Sequence, residues 1–143
     1  MKLARIVVLA VLLGAVLVAS NLPDASNVPT KANVKTLMQT ALAEEFTPGR
    51  EVLVDLVEIP PNTTLDRHWH PGEEFHYYLE GEVEIKIDGE RSIIGTPGAV
   101  GHVPFKKRHM AVAGEKGAKI LVFRVHTKGE PWRYVEEEGT PKR

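Results

Sequence analysis

From residue 48 to residue 127 the chain is a succession of short runs of β-forming residues cut by turn residues, with no segment long enough for a crossover helix. The runs cover residues 51–59, 67–70, 74–79, 83–87, 91–94, 99–103, 109–113 and 119–125. Parallel strands need long crossovers, so this density of strands predicts a mainly antiparallel, all-β barrel or sandwich. In Val83-Glu84-Ile85-Lys86-Ile87 apolar residues alternate with charged ones, which gives one buried and one wet face. Asp88-Gly89 supplies the two-residue turn of a hairpin. Pro60-Pro61-Asn62 ends the first run, because neither proline can donate to a ladder.

The rest of the chain divides around that stretch. Lys2 and Arg5 precede an unbroken apolar run over residues 6–19, and polar sequence follows from Ser20. A membrane span takes about 20 apolar residues, so this run of 14 residues reads as a signal peptide over 1–20, cleaved after Ser20. An uncleaved membrane anchor is the alternative, and both readings export the domain to a periplasmic or extracellular location. Residues 21–46 form a linker and N-terminal extension, 47–127 the barrel and 128–143 a charged tail. Within the extension Val34, Leu37, Met38, Ala41 and Leu42 follow helical spacing and predict a short helix over 34–46, with a strand on a barrel edge as the competing reading. In the tail, Trp132 and Tyr134 are expected to cover a barrel edge or a subunit contact.

A formal net charge of −1 carries no nucleic-acid signature. The chain has no cysteine, which excludes disulfides, a lipidated cysteine and thiolate chemistry, and leaves histidine and carboxylate as metal donors. His68-Trp69-His70 places two imidazoles on one face of a strand, where they can hold one ion together. Pro71-Gly72 then turns the chain, so Glu74 can return a carboxylate to the same cavity. A fourth donor has to come from elsewhere, and His109 follows the tight, charged approach Pro104-Phe105-Lys106-Lys107-Arg108.

At these spacings the chain resembles the cupin superfamily. That family's first motif, G-x5-H-x-H-x3-E-x6-G, is matched by His68, His70, Glu74 and Gly81, with Asn62 in place of the first glycine. Its second motif, G-x5-P-x-G-x2-H-x3-N, is matched by Gly98, Pro104 and His109, while Lys106 replaces the glycine and Ala113 the asparagine. The resemblance covers residues 48–125 and implies an antiparallel double-stranded β-helix, the jelly-roll or cupin barrel. It also implies a divalent metal ion on His68, His70, Glu74 and His109. Three imidazoles and a carboxylate suit Fe, Mn, Ni, Cu or Zn. Lys106, lacking the freedom of glycine at positive φ, is expected to force a different turn.

His76 lies two residues past Glu74 and shares its inward face, which makes it a group for orienting a ligand or for acid–base work, or else a satisfied histidine of the barrel wall. Tyr78 on the same face reads as core, His102 is left open, and His126 at a strand end reads as surface. The run Lys106-Lys107-Arg108 reads as solvated loop, with attraction of an anionic substrate to the mouth as the functional alternative. The functional expectation is an exported, metal-binding and dioxygenase-like enzyme acting on a small organic substrate. The alternative is a non-catalytic, metal-dependent small-molecule or sugar-binding sensor. A homodimer is expected from exposed edge strands.

Overall fold

The computed structural model describes residues 31–135, so the signal or anchor over 1–20, most of the linker and the acidic end of the tail lie outside the described residues. The strands are β1 (Asn33–Ala41), β2 (Arg50–Ile59), β3 (His68–Trp69), β4 (Gly72–Ile87), β5 (Ile93–Gly95), β6 (Val100–Val103), β7 (His109–Thr127) and β8 (Tyr134–Val135). All pairings between them are antiparallel, within one curled sheet.

Two long strands carry the architecture. The runs expected at 74–79 and 83–87 are one strand, β4, and those at 109–113 and 119–125 are one strand, β7. They pair along their length, with register shifts in β4 between Tyr78 and Glu80 and between Gly81 and Val83. The shift lets Glu74, His76 and Tyr78 point inward on one side and Val83, Ile85 and Ile87 on the other, although the two sets are out of phase by one residue. The corner depends on Gly81 and Gly117, both at φ +71. A Cβ on Gly81 would collide with the Gly117 carbonyl oxygen, and one on Gly117 would meet the Ile59 carbonyl oxygen. Val57, Ile59, Val83, Ile85, Ala111, Ile120 and Val122 belong to the apolar core that fills one part of the barrel.

The short helix expected over 34–46 does not form, and the competing reading, a strand on a barrel edge, holds for most of that segment. Residues 33–41 make β1, which pairs with β2 with a register shift between Thr36 and Met38, and every residue of β1 is exposed. A helix is held chiefly by burying an apolar stripe, and here Leu37 and Met38 stay 50% and 47% exposed. Pairing with β2 satisfies their backbone instead. Asp88-Gly89 does make a turn, with the Glu90 amide donating to the Ile87 carbonyl at 3.2 Å, but ladder pairing starts only at Ile85 opposite Ile93. The hairpin loop is therefore longer than two residues.

Lys106 also corrects an expectation. It takes φ +58, the left-handed region that a glycine would occupy, and its amide donates to the His70 carbonyl at 3.3 Å. Asn62, at the other substituted motif glycine, takes φ +53. The loop keeps its left-handed turn at both places, at a cost of about 1–2 kcal/mol for a residue with a Cβ and less for asparagine.

Candidate metal centre

His68 comes from β3, His70 from the residue after it, Glu74 from β4 and His109 from the first position of β7, and all four are buried. His68 and His109 are direct cross-strand partners. The donor nitrogens of His68, His70 and His109 lie within 4.8 Å of one another. The Glu74 carboxylate adjoins them, with Oε2 2.9 Å from His70 Nε2 and Oε1 3.5 Å from His109 Nε2.

What aims these rings is a set of backbone carbonyls. His68 Nδ1 donates to Asp66 O at 2.7 Å, His70 Nδ1 to Trp132 O at 2.6 Å and His109 Nδ1 to Lys107 O at 2.9 Å. A carbonyl oxygen only accepts, so each neutral ring carries its proton on Nδ1 and leaves an Nε2 lone pair for the centre. With the ring proton on Nδ1, His70 Nε2 and the Glu74 oxygen 2.9 Å from it are two buried acceptors facing each other with no hydrogen bond between them, an arrangement that is costly unless something else binds there. Burial, followed by the neighbouring His109, lowers the His68 pKa to about 3, so its ring is neutral at physiological pH. This donor set fits a divalent first-row ion.

Glu74 is also the hub of a second network. Its Oε2 accepts from Arg124 Nε at 2.5 Å and its Oε1 from His76 Nε2 at 2.6 Å. Arg124 Nη1 in turn pairs with Asp55, and both residues are buried. Burial on its own would raise the Glu74 pKa, but the Arg124 guanidinium and the adjoining histidines outweigh it and hold the carboxyl well below its usual range. Each carboxylate oxygen keeps a second lone pair free for an ion. His76 has the opposite tautomer to the other three rings: Nε2–H donates to Glu74, and Nδ1 accepts from the Tyr78 hydroxyl at 2.9 Å. Burial, then the Glu74 charge, raises the Tyr78 pKa and keeps the phenol protonated.

His68, Glu74, His76, His109 and Arg124 open onto a cavity of 270 Å³, with His70 set behind its lining. His68, Glu74, His76, His109, Arg124 and Trp132 line one part of it, and Val57, Ile59, Ile85, Ala111, Ile120 and Val122 line another. All three histidines and the glutamate expected from the sequence thus converge, and His76 and Tyr78 take the inward positions expected of them. The basic run does not line the cavity: Lys106 lies over the Trp69 and Phe105 rings, and Lys107 pairs with Glu90. His102 is on the outside, paired with Glu73 at 2.7 Å. His126, expected at the surface, has no exposed area at all. Its Nε2 donates to Pro131 O at 3.2 Å under the returning C-terminal segment. Two residues went unnoticed in the sequence, Arg124 and Asp55, and Trp132 was expected only to cover a barrel edge or a subunit contact. All three are tied to the centre only across strands or from the tail, and no local spacing signals that link.

The model of the cupin domain matches residues 55–124. The chain belongs to the cupin superfamily. Among solved structures, this cupin is similar to the DMSP lyase DddQ from Ruegeria pomeroyi, with a TM-score of 0.62 and 18% identity over 77% of this chain and 54% of the lyase. It therefore spans about half of that lyase's length. It is also similar to a Thermus thermophilus protein, TT1209, with a TM-score of 0.56 and 25% identity over 68% of this chain and 86% of that one. A cupin-like protein from Thermotoga maritima gives a TM-score of 0.58 at 18% identity, covering 82% of this chain and 85% of the other. No curated protein matches the sequence.

Proposed function

We propose that this cupin is an exported, metal-dependent enzyme acting on a small organic molecule. His68, His70 and His109 serve as nitrogen ligands and Glu74 as the carboxylate ligand. The observation that carries this reading is the carbonyl-fixed orientation of three histidines around the orphaned Nε2 of His70. A divalent ion held by these four residues would supply Lewis acidity to a substrate in the cavity. A cavity of 270 Å³ suits a small molecule. Its aliphatic wall excludes water, while Arg124 keeps Glu74 anionic beside the three histidines. Export rests on the charged and apolar N-terminus alone, and fractionation of the native protein tests it.

The reaction class has two readings. The cupin resemblance favours dioxygenase-like oxidation. The buried Tyr78–His76–Glu74 relay supports acid–base chemistry instead, because His76 lines the cavity with a proton on Nε2 and a protonated phenol behind it. A lyase-type elimination needs such a group, and the fold is shared with a DMSP lyase. Protein reconstituted with Fe, Mn, Ni or Zn and offered small organic acids and sulfonium compounds separates these readings. Oxygen uptake with product formation supports the first, and product formation without oxygen supports the second. Tight ligand binding with no product over long incubation contradicts both and leaves a binding module.

A further inference from the structure

Two of the three histidines are oriented locally and one is not. His68 and His109 donate to carbonyls two residues back along the chain, Asp66 and Lys107. His70 donates to Trp132, 62 positions away in sequence and on the segment that returns over the barrel after Glu130. We propose that residues 131–135 form a strap that is a working part of the metal centre, with Trp132 as a positioning residue whose carbonyl sets the tautomer and direction of His70. This rests on the metal-site reading above.

The strap is held by contacts that are independent of His70. The β8 strand pairs with β3 so that Trp69 faces Tyr134 and His68 faces Val135, and the Trp69 and Tyr134 rings stack at 4.3 Å and 12°. The fully buried His126 pins Pro131, the residue just before Trp132. The Trp132 indole lines the cavity 6.0 Å from the His70 ring, with the Arg124 and Arg133 guanidinium groups over it at 5.6 and 4.5 Å. Seating the strap therefore orients a ligand and closes one side of the cavity in the same movement.

Thermodynamic reciprocity follows. If the docked strap tightens metal binding by some factor, bound metal stabilises docking by the same factor. Loss of a group that orients a ligand costs about 10–100-fold in metal affinity. Both tryptophans of the chain, Trp69 and Trp132, contact or belong to the strap, so selectively excited tryptophan fluorescence reports on this region alone.

The test uses the full chain and Zn2+, with affinity measured by competition against a chromophoric chelator. Tyr134→Ala removes the stack on Trp69 and no atom bonded to a ligand. It should raise the Zn2+ Kd about 10–100-fold and increase acrylamide quenching of tryptophan, whereas Tyr134→Phe should keep both within about twofold. A strap with a structural role only would lose stability in Tyr134→Ala without a change in Kd, and increased quenching with an unchanged Kd overturns the proposal. Hydrogen exchange of the wild type decides the matter even if Tyr134→Ala fails to fold or to undock. Amides of residues 132–135 should gain about 10–100-fold protection on Zn2+ binding, and unchanged protection overturns the proposal. Wild-type protein that binds no Zn2+ overturns the metal reading itself, whereas Zn2+ binding without strap dependence overturns this inference alone.

Discussion

The inward row of β7 changes chemistry halfway along. Ala118, Ile120 and Val122 pack into the apolar core, and Arg124 and His126, next in the same row, are at least as deeply buried. The first three are held by burial of apolar surface, a non-directional interaction in which shape and volume decide the fit. Arg124 and His126 depend on named partners: Glu74 and Asp55 for the first, and the Pro131 carbonyl for the second. Even so, Asp55 Oδ1 and His126 Nδ1 have no hydrogen-bond partner. Buried ion clusters add little over well-packed apolar residues, so stability alone does not account for this half of the barrel. The apolar half holds the barrel together, and the polar half fixes the charge and direction of the groups around the candidate metal centre.

The largest effect should come from breaking the polar half. Arg124→Leu strands the Glu74 and Asp55 carboxylates and should cost about 3–5 kcal/mol in urea denaturation. A loss below about 1 kcal/mol would erase the contrast between the two halves. Next comes pH. Unfolded His68 titrates near 6.5 and folded His68 at about 3, so between these values the unfolded chain binds the extra proton. The contribution is complete above pH 6.5 and is lost as the pH falls toward 3. From pH 7 to pH 4 the metal-free protein should lose about 3 kcal/mol through His68 alone. In a folded His68→Gln variant that part of the pH dependence should vanish, and an unchanged slope would contradict the assignment.

Smaller changes sharpen the comparison from the apolar side. Ile120→Val deletes one methylene from the core and should cost about 0.5–1.5 kcal/mol while leaving metal stoichiometry alone. A change in stoichiometry would show that the halves are not separable. Lys106→Gly relieves the left-handed backbone at a small entropic cost in the unfolded chain and should stabilise by less than about 1 kcal/mol. Destabilisation by the same amount would mean that the Lys106 contacts over Trp69 and Phe105 outweigh the relief.

How much of this was legible in the sequence follows from the range of each interaction. His68 and His70 are two apart on one strand and Glu74 follows a Pro-Gly turn, so short-range periodicity placed them together. His109 needed the family motif, because its pairing with His68 spans the sheet. Strand ends were readable at Pro60 and Gly89, but the continuity of β4 and β7 through their register shifts was not, since a bulge looks like a break in the alternation. In β1 the helical spacing misled, because an edge strand exposed on both faces leaves no period-two pattern to compete with it. His126 looked like a strand end facing solvent. Its cover, Pro131, is supplied by a turn of the chain that local pattern does not foretell. Arg124 and Asp55 were invisible for a similar reason, as their pairing crosses from β7 to β2.

The proposed role of the polar half depends on His68, His70, His109 and Glu74 holding a divalent metal ion. Elemental analysis of protein purified without added metal, wild type beside His70→Ala, tests it most directly. The wild type should carry a substantial fraction of an equivalent of one first-row metal, and His70→Ala should lose most of it. A ratio near zero in the wild type, or one unchanged by His70→Ala, would contradict it.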